Sequence, residues 1–179
     1  MNKKAIIETL LFVFEEPISN DMIRKALELE IPDSDINKII NDLNAEYKKN
    51  LKGIYIDSIA NGHQIRTLPE FCEYINTIQS NNHQYRLSQA ALEILSIIAF
   101  KQPISRIDIE SIRGVDSIGA IKNLLDKKLI MIKKHRDKKK KILLYVTSNL
   151  FLETFGLNSL EELTNIKDFN EILEQHETK

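Results

Sequence analysis

Seven cationic side chains, Lys133, Lys134, Arg136, Lys138, Lys139, Lys140 and Lys141, fall within nine positions, and no other run in the sequence is so one-sided in charge. Such a run neutralises phosphates and gives salt-sensitive, sequence-independent affinity for nucleic acid. Its plainer use is a solvated hairpin tip that keeps a strand edge from pairing with other chains. Residues for bond-making chemistry are sparse by comparison. His63, His83, His135 and His176 are scattered, with no second His, Cys or carboxylate at metal-ligand spacing. There is no glycine-rich phosphate loop, nucleophile elbow or HExxH, and the carboxylates fall mainly on helix faces expected to be exposed. Cys72 lies in an apolar stripe, where a small buried hydrophobe is expected rather than a nucleophile. The sequence predicts no catalysis, no metal and no cofactor.

The basic run joins two strand candidates, Leu129 to Lys133 and Ile142 to Thr147, and these follow three predicted helices. Ser88 N-caps the first helix near Gln89, with Leu87 and Leu92 as its hydrophobic staple. Leu92, Leu95, Ile98 and Ala99 form its apolar face, and Pro103, which has no N–H to donate, ends it. Ser105 caps the second helix, Ile104 and Ile109 staple it, and Gly114 supplies the left-handed residue after Arg113. Asp116 or Ser117 caps the third, which carries Ile121, Leu124 and Leu125. Two helices meeting across a tight turn make a helix-turn-helix.

The first third of the chain repeats this plan, EEPIS answering KQPIS. Lys4 to Phe14 is helical, Pro17 breaks it, and Ser19 caps a second helix stapled by Ile18 and Ile23. Asp33 or Ser34 caps a third with Ile36, Ile39, Ile40 and Leu43 at helical spacing. Ile54, Ile56 and Ile59 then mark a strand, Asn61-Gly62 a type I′ turn and Gln64 to Leu68 its return. Three helices and a hairpin, twice, predict an α+β, mainly α protein of two tandem winged-helix domains. Their expected limits are 1–68 and 87–158, with a linker helix over 69–86 and an acidic, flexible tail over 159–179.

A 42% hydrophobic, 28% charged sequence of 179 residues is that of a folded protein. The apolar start carries Glu8 and helical spacing rather than a signal-peptide pattern, nothing is long enough to span a membrane, and one cysteine suits a reducing compartment. A cytoplasmic protein is expected. The net charge of −1 conceals an asymmetry: residues 84–148 hold 14 Lys and Arg against 6 acids, while residues 1–83 hold 9 against 13 and residues 149–179 hold 2 against 7. The middle piece has the balance of something that meets an anion. The third helices do not. Asp35, Asn37, Lys38, Asn41, Asp42 and Asn44 in the first copy, and Ser117, Gly119, Lys122, Asn123 and Asp126 in the second, lack the cationic face of a groove reader.

The stretch LSQAALEILSIIAFKQPISRIDIESIRGVDS, with AIIETLLFVFEEPIS before it and YVTSNLFLETFGLNSLEEL after it, resembles the bacterial segregation and condensation protein B family. That family supplies the accessory subunit of the SMC–kleisin condensin complex, and the resemblance covers almost the whole chain. It implies a non-catalytic homodimer, paired through its N-terminal domain and bound to the central segment of the kleisin. It also implies an indirect link to the SMC ATPase, a role in compacting and partitioning the chromosome, and a place at the nucleoid. The family's signature falls here on Gln102, Pro103, Ile104, Arg106, Ile109, Arg113, Gly114 and Val115. Pro103, Ile104 and Gly114 already terminate or staple helices. Gln102, Arg106 and Arg113 have no such folding duty in the sequence, so these three with Val115 are the candidate kleisin surface. Where members usually carry a wing containing Gly or Pro, this chain has HRDKKKK. The alternative reading is a winged-helix transcription regulator that binds DNA through the basic wing 133–141.

Overall fold

The computed structural model describes residues 2–78, 87–134 and 142–165 and divides into two compact units, residues 1–83 and 84–179. In unit 1, α1 (Lys3–Val13) is capped by Asn2, and Pro17 separates it from α2 (Asn20–Leu27), whose first-turn Met22 N–H donates to the Ser19 hydroxyl. The helix α3 (Asp33–Lys49) follows. Neither Asp33 nor Ser34 caps it: Pro32 is the N-cap residue, and Asp33, the first helical residue, accepts from Arg24 instead. Arg24 also bonds Asp21 and the Ile31 carbonyl, which pins the loop between α2 and α3. These acids raise the Arg24 pKa, and Arg24 in turn lowers that of Asp33.

Ile7, Leu11, Ile18, Ile23, Leu27, Ile36, Ile40, Leu43 and Ile56 interlock as the unit 1 core. Fully burying each of these side chains is worth about 1.5–3 kcal/mol. Tyr47 closes the core's edge, its hydroxyl donating to Glu8 at 2.7 Å. The hairpin of β1 (Ile54–Ile59) and β2 (Gly62–Thr67) packs beside α3 through Asn44, whose amide accepts from Ile56 N–H at 2.7 Å and donates to its carbonyl at 2.9 Å. Asn44 thus replaces a neighbouring strand rather than facing a nucleic acid.

The turn sits one residue earlier than Asn61-Gly62. Ala60 and Asn61 hold positive φ of 50° and 60°, and Gly62 already pairs with Ile59. Positive φ at both central positions is the type I′ requirement, so the turn type holds and its register moves. Gly62 is a glycine for another reason. A Cβ there would lie 2.9 Å from both the carbonyl carbon and the oxygen of Ile18, whose backbone pairs with His63 through two 2.9 Å hydrogen bonds. The His63 ring is buried between Asn20 Oδ1, 3.0 Å from Nε2, and Ser58 Oγ, 3.3 Å from Nδ1. Beyond β2 a 3₁₀ turn (Pro69–Phe71) leads into the short helix α4 (Cys72–Ile78), with the Phe71 ring laid against Gly53. Cys72 is exposed, as are Tyr74 and Ile78, so the predicted apolar stripe is not buried within unit 1.

Unit 2 repeats the plan with α5 (Gln89–Lys101), α6 (Arg106–Arg113) and α7 (Ile118–Asp126). Ser88 and Ser105 cap the first two through the N–H groups of Ala91 and Asp108, and Gly114 ends α6 at φ 73°. At α7 the predicted alternatives share the work: Ser117 is the N-cap residue, but the Asp116 carboxylate accepts from Ile118 N–H. A two-residue strand, β3 (Ile104–Ser105), joins the hairpin of β4 (Ile130–Lys134) and β5 (Leu143–Thr147) in the order β3-β5-β4. Ser148 caps α8 (Asn149–Phe155), which stops at Gly156 with φ 70°, and α9 (Glu161–Asn165) buries Leu163. Each unit is thus a winged helix: three helices, then a hairpin.

Two outcomes follow for unit 1. Gly62→Ala should destabilise it by roughly 1–3 kcal/mol, because the obstructing atoms are backbone, and urea unfolding measures the loss. Burial lowers the His63 pKa from the ordinary 6.5, with Asp33 opposing. The folded unit therefore takes up this proton less readily than the unfolded chain, and stability present above about pH 6.5 is lost as pH falls through the lowered value. His63→Gln should flatten that part of the stability profile between pH 7 and pH 5.

Candidate partner-binding surfaces

The four residues proposed for the partner surface fall into two places. Gln102 stands at the C-cap of α5 and reaches the end of β5. Its carbonyl oxygen accepts from Thr147 N–H at 2.8 Å, and its amide donates to Thr147 Oγ1 at 3.0 Å and Ala99 O at 3.3 Å. Gln102 therefore locks helix to sheet, a folding duty that its sequence neighbours do not betray.

Arg113 has a folding duty as well. Its side chain is only 10% exposed and reaches three sets of oxygens. Nε and Nη2 bond Glu93 Oε2 of α5 at 3.2 and 2.9 Å, while Nη1 bonds Ser117 Oγ at 3.0 Å and the Asp116 carbonyl at 3.5 Å. Glu110 completes the network, accepting from Ser117 N–H at 3.2 Å and from Arg106 Nη1 at 3.3 Å. The turn between α6 and α7 is thus held by charge-assisted bonds from two sides. Arg106 is the outermost member, on a half-exposed i,i+4 pair of the kind that contributes little to stability.

That rigid turn displays apolar side chains. Ile109 faces the core, while on the same helix Ile107 is 69% exposed and Ile112 half exposed; Val115 in the turn and Ile118 at the start of α7 are also open to solvent. Large apolar side chains out of phase with the core residue of their own helix are the signal that sequence reasoning passed over here: Val115 was singled out, Ile107, Ile112 and Ile118 were not. A second group lies in unit 1, where Phe12 (80% exposed), Val13 and Phe14 project in succession at the end of α1. Exposed apolar groups of this density mark interaction sites more often than bare surface.

Of the basic run, Lys133 is exposed on β4 and Lys134 pairs with Leu143 in the strand ladder. Arg136, Lys138, Lys139, Lys140 and Lys141 lie outside the described residues. On α3 the exposed positions include Asp35 and Asp42, which would oppose phosphates. Among the described residues no group of three or more His, Cys, Asp or Glu is placed to hold a metal ion, and no helix is long and apolar enough to cross a membrane.

The two arginines are separable by experiment. Arg113→Ala should cost about 1–3 kcal/mol in chemical denaturation, because it leaves the buried Ser117 and its turn without their donor. Arg106→Ala should cost less than about 1 kcal/mol.

Residues 5–166 match the family model of the segregation and condensation complex subunit ScpB. The segregation and condensation protein B of Syntrophotalea carbinolica is 41% identical over 175 residues, spanning 98% of this chain and 87% of that protein. Its counterpart from Clostridioides difficile is 36% identical over 169 residues, spanning 94% of each. Among solved structures, that of ScpB from Mycobacterium tuberculosis is 27% identical with a TM-score of 0.40, covering 87% of this chain and 95% of that one. By the extent of the family match and the identity along nearly its whole length, the chain belongs to the segregation and condensation complex subunit ScpB family.

Proposed function

We propose that the protein is a non-catalytic, homodimeric subunit of the bacterial SMC–kleisin condensin complex, binding the kleisin and supporting chromosome condensation and segregation at the nucleoid in the cytoplasm. Family membership carries the role in chromosome segregation and condensation. The rigid, apolar turn between α6 and α7 carries the partner-binding part: Ile107, Ile112, Val115 and Ile118 offer an apolar helix face a place to pack, with Arg106 at their margin for an acid. In this reading Arg113 positions that surface, Gln102 serves the fold by holding α5 to β5, and Arg106 and Val115 touch the partner. The SMC ATPase is reached indirectly, through the kleisin.

Phe12, Val13 and Phe14 are the corresponding surface for a second copy, since self-complementary apolar patches are what a two-fold dimer requires. Lys133 and the lysines after it add a weak, salt-labile contact with DNA and no sequence preference. A transcription regulator is disfavoured because α3 exposes carboxylates and turns Asn44 inward to β1.

Sedimentation should report a dimer that Phe12→Glu with Val13→Glu converts to monomer. Calorimetric titration with the cognate kleisin should give a stable complex, weakened about tenfold or more by Ile107→Glu or Val115→Glu with folding intact. A wild-type chain that stays monomeric and ignores the kleisin would sink the proposal.

A further inference from the structure

Two hydrogen bonds fix which backbone groups of β4 serve β5 and which point away from it. Continuing the register of the hairpin, Ser148 N–H donates to Leu129 O at 3.1 Å, whereas Thr147 N–H turns away from β4 to the Gln102 side chain at 2.8 Å. In an antiparallel ladder, hydrogen-bonded pairs alternate with pairs that exchange no hydrogen bonds. The N–H and C=O groups of Met131 and Lys133, opposite Val146 and Leu144, are therefore spent on β5, and those of Ile130, Ile132 and Lys134 point outward. In the order β3-β5-β4 this outer edge has no neighbouring strand among the described residues. Ile130 is buried and Ile132 is 43% exposed, so the open part of the edge begins at Ile132.

The side chains along the edge divide by face. Met131 and Lys133 are exposed on one face, while Ile132 lies on the other, opposite the buried Tyr145. Residues 127–134 carry four lysines and no acid. A second copy pairing here would bring its own Lys133 to the same short edge, and lysine on an edge strand is a common means of preventing such pairing. For an acidic strand the sign reverses, because the charge that repels a copy attracts it. The occupant that fits is an extended segment in which apolar residues alternate with Asp or Glu, the apolar ones beside Ile132 and the acids beside Lys133. The period of two that separates the faces of β4 is the period such a segment would carry.

We propose that the outer edge of β4 accepts such a segment from another protein, which adds a fourth strand to the unit 2 sheet beyond β4. Main-chain hydrogen bonds to Ile132 and Lys134 hold the added strand, and Lys133 selects for its acids. The proposal is independent of the kleisin reading, which rests on α6 and the start of α7.

Amide NMR of the full chain, titrated with a capped synthetic peptide of alternating Glu and Val, tests it. The N–H groups of Ile132 and Lys134 should shift and exchange more slowly with solvent, while those of Met131 and Lys133, already bonded to β5, should change less. The same peptide N-methylated at alternate residues should not bind, and one of alternating Lys and Val should bind at least about tenfold more weakly. Lys133→Glu should narrow or invert that preference without unfolding the hairpin, as the unchanged β5 amides would show. No response at millimolar peptide, shifts centred on another surface, or binding indifferent to N-methylation would overturn the proposal. So would protection of Ile132 and Lys134 that needs no peptide and grows with protein concentration, because the occupant would then be a second copy. A response of these amides to random duplex DNA and not to the peptide would make the edge a nucleic-acid contact and overturn it equally.

Discussion

In both units the fold turns on one short corner where the chain leaves its first helix and pairs its backbone with the hairpin. In unit 1 the corner is Pro17-Ile18-Ser19, with Ile18 and His63 exchanging backbone hydrogen bonds. In unit 2 it is Pro103-Ile104-Ser105, with Ile104 opposite Tyr145 and Ser105 opposite Leu144. Proline stops the helix, isoleucine enters the core, and serine caps the next helix, so three consecutive residues fix the helix end, the hairpin and the helix-turn-helix together. The requirement is tight enough to dictate a glycine at position 62, where any Cβ would strike the Ile18 backbone. Everything displayed on the surface of either unit inherits its position from that corner.

Much of this was legible because its causes are local. Caps at Ser19, Ser88 and Ser105 and the helix end at Gly114 all rest on residues within four positions of one another. The duplicated plan followed from the same signals recurring in order. What escaped depends on residues far apart. The Arg113 to Glu93 bond spans 20 positions and the Gln102 to Thr147 bond 45, so two arrangements that fold the unit left no trace in the spacing. The strand β3 is two residues long, too short to show a period. The turn at Ala60-Asn61 was displaced because Gly62 carries the usual turn signal while serving the close approach of Ile18. Cys72 was expected inside because a stripe shows amphipathicity without showing what covers it.

The candidate surface divides along the same line. Val115 and Arg106, the latter paired with Glu110, are exposed, while Arg113 braces the α6–α7 turn and Gln102 locks α5 to the end of β5. An ion-pair network with a buried arginine contributes definition more than net stability, since desolvation offsets much of the attraction. Ile107, Val115 and Ile118 are exposed beside a turn that the Arg113 and Glu110 hydrogen bonds brace from two sides. The exposed charges on α6 and its turn, Arg106, Asp108 and Asp116, include both signs, whereas the sequence between β4 and β5 is almost wholly cationic.

The most direct test of this division is an amide NMR map of the full chain titrated with the central segment of the kleisin. The account predicts that the largest shifts fall on α6, the α6–α7 turn and the start of α7, centred on Ile107, Val115 and Ile118, and that they persist at high salt. Shifts centred on the lysine-rich hairpin and abolished by salt would contradict it.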